Sequence, residues 1–179
     1  MYQFKKNITI HNIYTSIAHN YFTRQKFHPQ NNATIEHTTV HIKANHGLEN
    51  DRFENSKYPI TFISLEVATE VSNTLKIELD LTLFRRNIVV SGLNLNQLIG
   101  EKFKIGDIEF QGISHCAPCT WMNHVMKKGA YNIMKGRGGL RAVPLKNGVL
   151  EKGENIISTK NELYKDPLES LKTPNIPSL

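Results

Sequence analysis

The sequence predicts a mainly β protein, a sheet closed into a β-barrel with a few peripheral helices. Three observations predict it. Short β-rich runs recur along the chain with turn residues between them. Only two stretches carry helical spacing. Two turn pairs, Gly106-Asp107 and Asn147-Gly148, sit between apolar runs as hairpin loops do.

Each element follows from its residues. Ile8, Ile10, Ile13 and Ile17 alternate only in part over residues 7–17, the pattern of a strand with a slip or bulge. Residues 19–33 are rich in Asn, His and Gln and contain Pro29, which predicts a loop. Thr38-Thr39-Val40-His41-Ile42 predicts a strand within 35–44, and Tyr58–Ile63 a short one. Ser64 has the chemistry of an N-cap, and Leu65, Ala68, Val71 and Leu75 recur at helical spacing, so a helix is expected at 65–76. Leu79, Leu81 and Leu83 alternate with polar residues, which predicts a strand, and Ile88-Val89-Val90 predicts another. Phe103 and Ile105 face Ile108 and Phe110 across Gly106-Asp107, a hairpin. Trp121/Val125 and Met122/Met126 are i,i+4 pairs, giving a helix over 120–134. Val143/Leu145 and Val149/Leu150 flank Asn147-Gly148, the stronger hairpin signal. From Lys172 the tail, with Pro174 and Pro177, reads as loosely held, and no internal repeat is present.

Composition narrows the function classes. A chain of 179 residues with 39% hydrophobic and 21% charged residues fits one globular domain with a real core. No apolar stretch follows Lys5-Lys6, and no run approaches the ~18 apolar residues of a membrane span. Two cysteines make no disulfide framework, so a reducing cytoplasm is the expected location, with no membrane partner. The net charge of +6 is dispersed along the sequence. Without a recognition helix or zinc finger, a small phosphorylated anion accounts for the arginines better than a nucleic acid does.

Chemistry concentrates at Cys119 in His115-Cys116-Ala117-Pro118-Cys119-Thr120-Trp121. Arg85-Arg86-Asn87 lies on one side in sequence and Gly136-Arg137-Gly138-Gly139-Leu140-Arg141 on the other. A thiolate is a soft metal ligand. Arginine forks onto phosphate oxygens, and glycine lets backbone N–H groups approach an anion. A helix start after Cys119 would also favour the thiolate. Cys116 with Cys119 also fits a redox dithiol, though no parallel βαβ pattern follows. Zinc, with His115 or His124, lacks a second ligand pair at standard spacing. The glycine segment is not a nucleotide P-loop, because no Gly-Lys-Ser/Thr follows it. Asp51 and Arg52 fit a structural ion pair as well as a ligand contact, and His41 and His46 read as surface histidines.

Four blocks in order resemble those of MOSC domains, named for the C-terminal domain of molybdenum cofactor sulfurases. They are Gly47–Phe53, with Asn50 where glycine is usual; Phe84–Gly92; Pro118-Cys119; and Gly136–Ala142 followed by Gly148-Val149-Leu150. Asn is the non-glycine residue that best tolerates a left-handed backbone. The resemblance places the domain at 38–157, with 1–37 an N-terminal strand and loop of the same unit and 158–179 a tail. It implies a β-barrel that binds molybdenum cofactor (molybdopterin). Cys119 would be the molybdenum ligand and catalytic residue, or a persulfide carrier. Arg85, Arg86, Asn87, Gly136, Arg137, Gly138, Gly139 and Arg141 would contact the cofactor. An oxo-molybdenum reductase of N-hydroxylated small molecules would need partner redox proteins, since no flavin, haem or iron–sulfur motif is present. A sulfur carrier would need a separate cysteine desulfurase, and a non-catalytic cofactor-binding module would need neither.

Overall fold

The computed structural model describes residues 1–20 and 31–173. In chain order the strands are β1 (Phe4–Thr15), β2 (Ile35–His37), β3 (Thr39–Lys43), β4 (Gly47–Leu48) and β5 (Ile60–Ser64). Helix α1 (Leu65–Leu75) is followed by β6 (Ile88–Ser91), β7 (Lys102–Ile105) and β8 (Ile108–His115). Helices α2 (Trp121–Val125) and α3 (Ala130–Met134) precede β9 (Leu140–Pro144), β10 (Gly148–Glu151) and β11 (Gly153–Thr159). Seven strands run in the order β11-β7-β8-β9-β5-β6-β1, and β1 pairs again with β11 to close the barrel. Strands β10, β3 and β4 form a small second sheet.

The barrel closes because alternate residues of each strand are apolar. Ile10, Phe62, Ile88, Phe103, Phe110, Leu140, Ala142 and Ile157 belong to one buried cluster. The rings of Phe103 and Phe110 stack at 5.3 Å, and Phe62 meets Phe110 edge-on at 5.8 Å. Each such side chain contributes roughly 1.5–3 kcal/mol by leaving water. The opposite face of β5 and β6 presents Ile63 and Val89 to α1, α2 and α3, where Val67, Val71, Trp121 and Met134 form a second cluster. Ser64 caps α1 as expected, its hydroxyl accepting from the Val67 N–H. β1 carries the expected irregularity, with its register against β6 shifting between Ile10 and Asn12.

Four expected elements differ. Leu79–Leu83 is not a strand: a 3-10 helix runs from Leu81 to Phe84. Asp80 starts it by accepting from the Thr82 N–H and hydroxyl, a local cap that outcompetes the weak alternation. The helix over 120–134 is two helices, broken before Gly129 at φ 109°. Asn123 terminates one and starts the other, its side-chain oxygen accepting from the N–H groups of Gly129 and Tyr131. Asn147-Gly148 does not close a hairpin. β9 pairs with β5 and β8, while β10 crosses to pair with β3. Gly148 is needed there because a Cβ would sit 2.4 Å from Ile108 Cγ1. Residues 35–44 divide at Thr38 into β2 and β3, which join different sheets. Most of the expected 19–33 loop, and Pro174 and Pro177, lie outside the described residues.

Candidate functional site

Hydrogen bonds link five segments of the chain, and Asp51 joins the first two. Its carboxylate accepts from the backbone N–H groups of Ser16 and Phe53, at 2.9 and 3.0 Å, and from Arg52 at 3.3 Å. Asn50 enters this loop at φ 61°, so asparagine does take the left-handed backbone expected of it. Arg52 turns inward, donates to the Arg85 carbonyl at 2.7 Å, and lies 4.5 Å over the Phe53 ring. Burial pushes Arg52 down to about 10; Asp51 opposes that, and Arg85 and Arg86 reinforce it. It remains charged at neutral pH.

Arg85 ends the 3-10 helix in a left-handed conformation at φ 55°. Its guanidinium donates to the Thr34 and Ser16 hydroxyls and to the Ala18 carbonyl. Burial lowers it too, opposed by Asp51. Beside Arg85, toward Trp121 and His124 of α2, a recess of about 530 Å³ opens. Arg86 is a bracket. It donates to the carbonyls of Phe84 at 2.9 Å, Cys116 at 3.2 Å and Gly138 at 3.1 Å, tying two of the four sequence blocks to the residue that opens the cysteine loop. Asn87 is fully buried and structural. Its side chain joins Thr61 of β5 to Tyr14 of β1.

Thr61, Arg141 and Ser114 are register partners across β5, β9 and β8 and share the face that carries these groups. Arg141 lies 5.1 Å over the Tyr58 ring, yet its Nε–H is buried without a hydrogen-bond partner. The Ser114 hydroxyl is likewise buried and unpartnered. A register shift between Gly112 and Ser114 turns Ser114 toward Arg141 and puts His115 opposite the core residue Leu140. No sequence signal marked Ser114, Thr61 or Tyr58, because only that bulge and the strand register decide which face they occupy. His115 is pushed down to about 4, mainly by burial and then by the charges of Arg86 and Arg141. Its imidazole is therefore neutral at pH 7.

The two cysteines differ. Cys119 is exposed, whereas Cys116 is buried, with its N–H on the Gly139 carbonyl at 2.7 Å and its own carbonyl held by Arg86. Residues 116–119 form no turn that would fold one thiol onto the other. Helix α2 has only five residues and no side-chain cap at Thr120, so it offers Cys119 little dipole. Among the described residues no cluster of three His, Cys, Asp or Glu side chains is placed to hold a metal ion.

The glycine segment packs against the cysteine loop through its backbone. A Cβ at Gly138 would meet the Cys116 carbonyl at 2.6 Å and Pro118 Cδ at 2.8 Å. One at Gly139, φ 114°, would meet the Phe62 carbonyl at 2.0 Å. Arg137 points elsewhere: it bonds Glu70 of α1 at 2.8 Å and the carbonyls of Ile133 and Leu168. Gly136 faces Leu171 of the tail. The structure thus brings Arg86, Gly138 and Gly139 to the cysteine loop. It sets Arg85 against Ser16, Ala18 and Thr34, Arg141 over Tyr58 and Asn87 between β1 and β5, and directs Arg137 and Gly136 to α1 and the tail.

The MOSC domain family matches residues 25–157. The chain belongs to the MOSC domain family. This is a family associated with molybdenum cofactor, and the fold of this MOSC domain recurs in solved structures. YuaD from Bacillus subtilis superposes with a TM-score of 0.70 at 13% identity, over 89% of this chain and 99% of that one. YiiM from Escherichia coli gives 0.65 at 14%, over 92% and 75%, and YiiM from Geobacillus stearothermophilus 0.62 at 15%, over 85% and 75%. At such identity the likeness is one of fold. No curated protein matches the sequence.

Proposed function

We propose that this MOSC domain binds molybdenum cofactor beside the cysteine loop, with Cys119 as the thiolate ligand of the metal, and reduces N-hydroxylated small molecules. The observation that carries the reading is an imbalance of charge. Arg52 lies within reach of the charges of Arg85 and Arg86, and His115 within reach of those of Arg86 and Arg141, while Asp51 is the carboxylate acting on Arg52 and Arg85. Buried charge is costly unless paired, so this excess fits an anionic group. The unpartnered Arg141 Nε–H and Ser114 hydroxyl fit the same group as donors to phosphate oxygens. Arg86, holding the Cys116 carbonyl of the cysteine loop and the Gly138 carbonyl beside it, fixes the loop against the glycine segment. Gly138 and Gly139 keep the backbone bare of side chains beside the loop.

When bound, the cofactor supplies two-electron oxo-transfer chemistry. The chain's own part is to anchor, orient and exclude water, and electrons come from a partner redox protein. The exposure of Cys119 favours a second reading, a persulfide carrier fed by a separate cysteine desulfurase. Both readings are tested by elemental and sulfane-sulfur analysis of protein from a molybdenum-replete, cofactor-producing host. The expected outcome is near-stoichiometric molybdenum in the unaltered chain and in Cys116→Ser, and none in Cys119→Ser, because a neutral hydroxyl is a hard, weak ligand. Sulfane sulfur on Cys119 without molybdenum would replace the first reading with the second.

A further inference from the structure

Residues 161–171 follow the barrel's last strand and lie beyond the stretch the MOSC family matches, which ends at 157. They form no helix or strand, but they are tied down by a converging set of hydrogen bonds. Asn94, 2% exposed, donates from Nδ2 to the carbonyls of Asp166 at 2.6 Å and Glu169 at 2.9 Å. Asn96 donates to Gly136 and Glu169. Gln97 accepts from the Lys165 N–H. The Leu171 N–H reaches the Gly136 carbonyl at 2.9 Å, and Arg137 reaches Leu168. Leu163 packs against the barrel core.

Three of these bonds converge on Gly136-Arg137. Gly136 has no room for a Cβ because the Leu171 carbonyl lies 2.7 Å from where it would be. Two residues on, Gly138 is in equally close contact with Cys116 and Pro118. On its other side the turn is anchored to α1 by Arg137 and Glu70. A displacement of the strap therefore reaches the cysteine loop through two peptide units that have no slack.

We propose that residues 161–171 are a strap that positions the cysteine loop, with Asn96 and Leu171 as positioning residues for Cys119. The inference rests on Cys119 being the functional thiol, which metal retention in the unaltered chain tests separately. The strap experiment reads only geometry. Asn96→Ala removes the Nδ2 bonds to Gly136 and Glu169, and Leu171→Pro removes the N–H that reaches Gly136 without touching the barrel. In the full-length chain, amide exchange over 161–171 should quicken by roughly tenfold in both variants, as expected for losing one or two hydrogen bonds. The alkylation rate of Cys119 by iodoacetamide should change by at least about threefold, while Cys116 stays protected as a sign that the barrel is intact. If the strap exchanges faster and Cys119 keeps its rate, the strap is only a surface cover and the proposal is overturned. If exchange over 161–171 does not quicken in either variant, those bonds do not hold the strap, and it is overturned as well.

Discussion

His115 shows how far one side chain can be set by where a strand bulges. With both ring nitrogens unpartnered and the residue fully buried, it is held near pKa 4, against an ordinary value of 6.5 in the unfolded chain. Between those values the unfolded chain takes up a proton that the folded chain refuses. Stability from this group is therefore complete above pH 6.5, falls as pH drops toward 4, and levels off below it. The full drop is about 3 kcal/mol, from 1.36 kcal/mol per pK unit. Melting curves from pH 7 to 4 should show a steeper loss for the unaltered chain than for His115→Gln, and parallel losses would mean the imidazole is solvated. At this scale the sequence picked out candidate groups but not their orientation. Cys119, Arg86 and Arg141 were legible from motif and chemistry. Arg137 was indistinguishable from Arg141 in the sequence, yet one turns to Glu70 and the other to Tyr58. That difference depends on φ at Gly139 and on a helix far upstream.

Among the elements, those fixed by local chemistry were the legible ones. Ser64 announced α1, Gly106-Asp107 announced the β7–β8 turn, and the broken alternation of β1 announced its bulge. Where a local signal was overridden, another specific contact did it: the Asp80 cap, Asn123 between α2 and α3, and Ile108 under Gly148. The short stretch joining α3 to β9 depends most on bare backbone. Gly139→Ala must accommodate a Cβ at 2.0 Å from the Phe62 carbonyl at a φ of 114°, both unfavourable. A loss of at least about 3 kcal/mol is expected, large for a single methyl. Urea titration checks it. A loss under 1 kcal/mol would mean that β5 and β9 can part without cost.

For the molecule as a whole, the closed barrel was legible because the strands alternate, but the order of strands was not. Parallel β5–β6 and the crossing of β10 depend on contacts between residues far apart in sequence. The closing seam has a further consequence for how the protein is made. β1, the first barrel strand in chain order, pairs from Phe4 to Ile10 with Gly153 to Thr159 of β11, the last barrel strand. At roughly 5–20 residues per second, β1 waits about 7–30 s on the ribosome before that partner exists. Until then the edges of β1 and β7 stay open to strands of neighbouring nascent chains, the usual route to aggregation. Nascent chains stalled with β11 still in the exit tunnel should leave Cys116 open to alkylation. Chains stalled beyond residue 173 on a linker should protect it. Early protection of Cys116 would show instead that six strands suffice to shut the barrel and that β11 only seals a finished wall.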